Sequence, residues 1–209
     1  MIYNMLKQTF VLFVCFLYGF AYADDCIKYK QIPSVKIINP IYERTVVQPE
    51  HQMNKLHGTV LATLVEDFDL IVDIIATGSG YCVVLKEIDA TIGYSDFTIE
   101  IDKSHIHGSC SYNAILGHEY KHIDAYLSVI KDMDFDIKNS VFNAVNSITP
   151  IFVPLRKDVD SAIENMNLNI QSHPEIILMK QKINASQEIR NKRIDQNENN
   201  ADLNKCLQI

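Results

Sequence analysis

The run His118-Glu119-Tyr120-Lys121-His122 sets two imidazoles four residues apart with a carboxylate beside the first. On a helix that spacing is one turn, so both rings project from the same face and can share one ion at about 2.0 to 2.1 Å. Imidazole ligands with a position left open suit zinc, which lowers the pKa of water to about 7. Glu119 stands where it can take the proton as general base. This spacing points to hydrolysis with Zn2+ as cofactor, His118 and His122 as ligands and Glu119 as the catalytic base.

Neighbouring groups are weighed against that core. Tyr126, one turn beyond His122, could donate to a transition-state oxyanion or sit as a tyrosine at the edge of the core. Asp124 points largely away from the ion. His105 and His107 share a face if their segment is extended, but no acid stands at fixed spacing from them, so they read as loop histidines. Asp132, Asp134 and Asp136 open like a calcium loop, yet Ile137 occupies the place where that loop needs glycine.

Helices must hold the motif. After Gly108 the apolar residues Ile115, Leu116, Ile123, Leu127 and Ile130 recur at helical spacing, and Ser109 or Ser111 is available as N-cap, which predicts a helix to about Asp132. Further helices are expected over 135–148, over 156–171 and from Glu175 onward, with Pro150, Pro154 and Ser172-His173-Pro174 between them. Upstream, 57–64, 70–77, 81–92 and 96–101 are rich in Val, Ile, Thr and Tyr, and Gly78-Ser79-Gly80 and Gly93 read as turns. Residues 27–54 carry three prolines and read as an extended lead-in with one short strand near 34–38. Strands and then helices, in blocks, predict an α+β fold of zincin-like type: an antiparallel sheet followed by a helical half that carries the HExxH helix.

The third ligand must be distant, because Ala125 and Ser128 stand where an HExxHxxGxxH site requires glycine and histidine. If the helices run up, down and up, Glu164 comes level with the motif and is the first candidate. Glu188, on a fourth helix running back, is the second.

The segment CSYNAILGHEYKHIDAY, the apolar strand before it and the stretch RNKRIDQNENNADLNKC resemble a group of uncharacterised exported bacterial HExxH proteins regarded as zinc proteases. The likeness is strongest over 97–126. It implies zinc at His118 and His122 and a base at Glu119, and it supplies no substrate.

Export is also written at the N-terminus. Lys7, an apolar run from Phe10 to Phe20 and the pattern Ala21-Tyr22-Ala23 read as a signal peptide over 1–23, too short to span a bilayer comfortably, with Asp24 beginning the mature chain; the alternative is an uncleaved membrane anchor, and both place the body outside the cytoplasm. The expected organisation is this signal, a metallopeptidase domain over 24–195 and a polar tail over 196–209 tied down by Cys206. A net charge of -7 argues against nucleic acid or an anionic membrane surface as partner. Cys26, Cys82, Cys110 and Cys206 form an even set in an oxidising compartment, and position along the chain favours Cys26 with Cys206 and Cys82 with Cys110. These readings converge on a secreted or periplasmic zinc metallopeptidase acting on a peptide or protein. The alternative is a non-catalytic exported binding protein with a structural or incidental HExxH helix. Hydrolysis of cell-wall amides would use the same chemistry.

Overall fold

Cys82, Val83, Val84 and Leu85 are consecutive and all buried, as expected for a strand covered on both faces at the centre of a sheet. The computed structural model describes residues 26–50, 53, 57–198 and 205–206, so the expected signal peptide and its cleavage site lie outside the described residues. The central strand is β4 (Tyr81–Ile101), and β1 (Ser34–Ile38), β2 (Glu43–Val47), β3 (Gly58–Ala76) and β5 (Ile151–Val153) all pair with it.

The expectation of an antiparallel sheet is overturned. β2 runs parallel to β4, with Glu43 opposite Asp96 and Val47 opposite Glu100, and the path β1-β4-β2 is parallel. β5 is antiparallel to β4, with Tyr81 opposite Val153. Alternation such as Phe97, Ile99 and Ile101, all buried, fixes which face of a strand points inward but not the direction of its neighbour. The segment read as a lead-in supplies both β1 and β2. A long crossover is needed between parallel partners, and β3 lies in the chain between β2 and β4.

Two further expectations change. Residues 57–64 and 70–77 fall in one strand, β3, and 81–92 and 96–101 in another, β4. Gly93 is not a turn: it continues β4 with φ 156°, and a Cβ there would meet Pro40 Cδ at 2.7 Å. Both disulfides also pair differently from the expectation, as Cys26–Cys82 and Cys110–Cys206. Cys26 and Cys82 share a buried cluster with Val84, a contact that distance along the chain could not reveal.

Four helices follow: α1 (Cys110–Asp132), α2 (Asp134–Ser147), α3 (Val159–Gln171), entered through a 3-10 turn at Arg156–Asp158, and α4 (Pro174–Glu198). Their positions follow the apolar periodicity closely. Ser109 caps α1 by accepting from Tyr112 N at 3.2 Å. Among the described residues, no helix is long and apolar enough to cross a membrane.

The chain divides into two compact units. One contains the described residues up to Lys36, Phe68–Asp89 and Val141–Ile176. Its core includes Phe68, Leu85, Val141, Met166 and Ile170, and Asn167 of α3 donates to the carbonyl of Phe68 at 3.0 Å. At Gly80 the space a side chain would need is filled by the Val153 carbonyl and the Phe152 ring. The other unit contains Ile37–Asp67, Ala90–Ser140 and the described residues from Ile177 onward. Its core includes Ile92, Phe97, Ile99, Ile123, Val129 and Ile183, each worth about 1.5 to 3 kcal/mol in burial. The HExxH segment belongs to this second unit, and each unit holds one disulfide.

Candidate metal centre

Ile115, Ile123, Val129 and Ile130 seat α1 in its unit, and the turn between Ile115 and Ile123 carries the motif. His118 and His122 face each other with ring centroids 4.8 Å apart and Nε2 atoms 3.1 Å apart. A carboxylate joins them from α4: Asp195 Oδ1 lies 3.2 Å from His122 Nε2 and 3.4 Å from His118 Nε2. The three atoms form a nearly equilateral triangle. Ligands at 2.0 to 2.1 Å in a tetrahedron are separated by about 3.3 Å, so the triangle has the dimensions of three tetrahedral zinc ligands.

His122 Nδ1 lies 3.1 Å from Asn191 Oδ1, an oxygen that can only accept, while His122 Nε2 lies on the side of Asp195. Two imidazoles and a carboxylate form a donor set that zinc accepts with a fourth position free. His122 is buried, whereas the Asp195 side chain is 61% exposed, so the triangle is sheltered on the α1 side and open on the α4 side.

The frame around it is antiparallel packing of α1 against α4. Cys110 at the start of α1 is bonded to Cys206 beyond α4, His122 meets Asn191 and Asp195, and Arg190 reaches Ser128 Oγ at 2.5 Å and Asp132 Oδ2 at 2.6 Å. Arg190 thus fixes the rotation of α4 immediately before Asn191.

Glu119 is 4% exposed. Burial pushes its carboxyl up to about 7; the nearby His122 draws it down and Asp195 pushes it up. It lies under Gly58 at the start of β3, where an added Cβ would come within 2.7 Å of Glu119 Oε1. A side chain larger than glycine has no room beside the carboxylate.

His118, Glu119 and His122 are thus brought together on one turn, but Glu164 is exposed on α3 in the other unit and is not part of the triangle. Glu188 lies on α4, two turns before Asp195 and exposed. Among the described residues, the group of three side chains placed so that they could hold a metal ion is His118, His122 and Asp195. The sequence did hold a signal for Asp195. The buried stripe Ile176, Met179 and Ile183 of α4 continues at four-residue steps as Gln187, Asn191 and Asp195, polar residues where core-facing ones are expected.

The other candidates have contacts of their own. Tyr126 is half-buried and stacks edge-on against Tyr94 with centroids 4.9 Å apart. Asp124 is exposed. His105 and His107 do not act together: His105 Nε2 lies 3.0 Å from His57 Nδ1, and His107 packs on the Tyr112 ring. Asp134 pairs with Lys138 at 2.6 Å, and Asp132 with Arg190. Comparison with family models, with curated proteins and with solved structures gives no match for this chain.

Proposed function

We propose that the protein is an exported zinc-dependent hydrolase, most simply a secreted or periplasmic metallopeptidase, with zinc held by His118, His122 and Asp195. The observation that carries this reading is the triangle of Nε2, Nε2 and Oδ1 atoms with edges of 3.1, 3.2 and 3.4 Å. Zinc there would supply Lewis acidity, polarising a substrate carbonyl and making water acidic enough to give up a proton near neutral pH.

The chain's own residues supply the rest. Asn191 holds the His122 ring in the tautomer that offers Nε2. Glu119, buried beside the histidines and raised toward neutrality, takes a proton from the attacking water and returns it to the leaving amine. Ile115 and the close approach of Gly58 limit where that carboxylate can move. Three protein ligands with an exposed side favour a catalytic over a closed structural site, which takes four. Export rests on the signal-like N-terminus together with the two disulfides, which form in oxidising compartments.

Elemental analysis of the purified mature chain and a peptidase assay of Glu119→Gln test the reading together. The expected result is one zinc per chain in both proteins and at least a hundredfold lower turnover in the variant. A chain that binds no zinc, or a variant as active as the parent, overturns it.

A further inference from the structure

The turn that follows β4 reaches back to the residue just before β3 and fastens it. Asp102 N donates to the His57 carbonyl at 2.9 Å, and His105 N donates to the Asp102 carbonyl at 3.0 Å. The Asp102 carboxylate accepts from Met53 N and Ser104 N, which stiffens the turn. On this frame His57 Nδ1 lies 3.0 Å from His105 Nε2, and the rings meet edge to face with centroids 5.1 Å apart. The next residue, Gly58, is the one that closes over Glu119 and Ile115. An imidazole pair therefore stands a single residue from the glycine that confines the proposed base, within the same compact unit.

The bond between the rings depends on their protons. One ring must donate and the other accept, so the bond survives with both rings neutral or with one protonated. With both protonated neither facing nitrogen keeps a lone pair, and two cations meet across 3.0 Å. Burial and then the charge of His57 hold His105 below the ordinary histidine value of 6.5, while Asp102 pulls it up. The joined state is therefore complete above that value and is lost as pH falls below it. Of the other charged groups here, Lys103 is turned to the Glu50 carbonyl, and Glu119 stands on the far side of Gly58.

We propose that His57 and His105 form an acid-sensitive latch that positions Glu119: while the rings are joined Gly58 confines the carboxylate, and when both are protonated the latch opens and turnover falls. Both are positioning residues, acting through the backbone at the start of β3. A carboxylate released from beneath Gly58 loses its aim at the attacking water. The effect on turnover rests on the hydrolase reading, whereas the latch itself needs neither zinc nor substrate.

Two measurements on the full mature chain separate these claims. In the first, amide and imidazole shifts are followed in the metal-free Glu119→Gln protein between about pH 5 and 8, where histidine titrates. That substitution keeps the carboxyl's own titration from moving the reporter. The Gly58 amide is expected to shift with the midpoint of the His105 ring. His57→Asn places an amide near the position of Nδ1, able to donate or accept whichever way His105 is protonated, and should largely remove that shift. His105→Phe, which cannot join at all, should leave Gly58 in the open position at every pH. In the second, kcat of the zinc-loaded chain is followed over the same range. The parent should fall more steeply in acid than His57→Asn, and His105→Phe should be about tenfold slower than the parent at the alkaline end, with zinc affinity within about twofold. A Gly58 amide that ignores His105, or follows it equally in His57→Asn, overturns the latch, and His57→Asn decides this even where His105→Phe does not fold. Identical acid limbs in the parent and His57→Asn overturn its part in catalysis. A chain whose Gly58 follows His105 but which cleaves no peptide overturns the hydrolase reading and keeps the latch.

Discussion

Asn191 Oδ1 lies 3.1 Å from Nδ1 of His122, one helical turn before Asp195. Helix α4 therefore meets the histidine pair twice, through the Asp195 carboxylate and through the Asn191 amide. Asn191→Leu is expected to weaken zinc binding by about 10- to 100-fold without unfolding the chain, because a lost outer hydrogen bond leaves the ring free to turn. Asp195→Ala should weaken it further, whereas Glu164→Ala, exposed on α3, should have no effect. Competition against a chromophoric chelator gives all three affinities, and an Asp195→Ala protein that keeps the parent's affinity removes Asp195 from the site.

Arg190 acts one residue earlier. By holding Ser128 and Asp132 it locks the rotation of α4 on α1. The ion pair is partly exposed, so Arg190→Ala should cost only about 1 kcal/mol of stability. Its effect on zinc affinity should be larger than on melting, and the two are separable by running the chelator competition beside a urea titration. Unchanged affinity would mean that the packing alone sets the register.

The helical turn of the HExxH run was legible in the sequence because helical spacing converts directly into geometry: His118, Glu119 and His122 fall where a four-residue step puts them. Helix limits were legible for the same reason, with Ser109 capping α1 and proline opening α4. What was not legible depends on pairing across distance. Nothing in the alternation of Phe97, Ile99 and Ile101 states that Thr45 lies beside Thr98 in a parallel register. Nor does order along the chain decide which of three disulfide pairings forms. The approach of Asp195 to the two histidines was not legible because the polar end of α4 reads as a fraying tail unless its stripe is followed inward from Ile183 through Gln187 and Asn191.

The Cys110–Cys206 bond spans a separation of 96 residues and joins the entrance of α1 to the segment beyond α4. Crosslinking so large a loop restricts the unfolded chain, so replacing both cysteines by alanine should lower stability by about 2 to 5 kcal/mol. Because α1 and α4 bear His118, His122 and Asp195, the proposed ligands, zinc affinity should fall with it. Denaturant titration of the double variant, with and without zinc, measures both; stability equal to the parent's would show that the helices are held by packing alone.

Asp102 gives the pH dependence a definite sign. Its carboxylate accepts from Ser104 N at 2.8 Å and from Met53 N at 2.7 Å, and hydrogen bonds from Ser104 and then Met53 hold its pKa down at about 2, against an ordinary value of 3.8. A carboxyl with a lowered folded-state pKa adds stability that is complete above its unfolded value and fades as pH falls through the folded one. The melting temperature of the parent should therefore exceed that of Asp102→Asn by its full margin above pH 4 to 5, with the gap closing toward pH 2. A gap that is constant over this range, or that widens in acid, would show that the charged form is not favoured by folding.

Gly58 faces Glu119 across a gap that has no room for a methyl group: its Cβ would stand 2.6 Å from Ile115 Cγ2 and 2.7 Å from Glu119 Oε1. Either β3 moves away or the carboxylate does. Overpacking of this kind costs about 1 to 3 kcal/mol. Because the clash lies on the Glu119 side of α1 and none of its atoms belongs to the ligand triangle, Gly58→Ala should lower turnover while leaving zinc affinity within about twofold of the parent. Turnover on any cleaved peptide, set beside chelator competition, separates the two effects. Loss of zinc binding in step with turnover would mean that β3 supports the ligands themselves, and unchanged turnover would mean that Glu119 needs no such confinement.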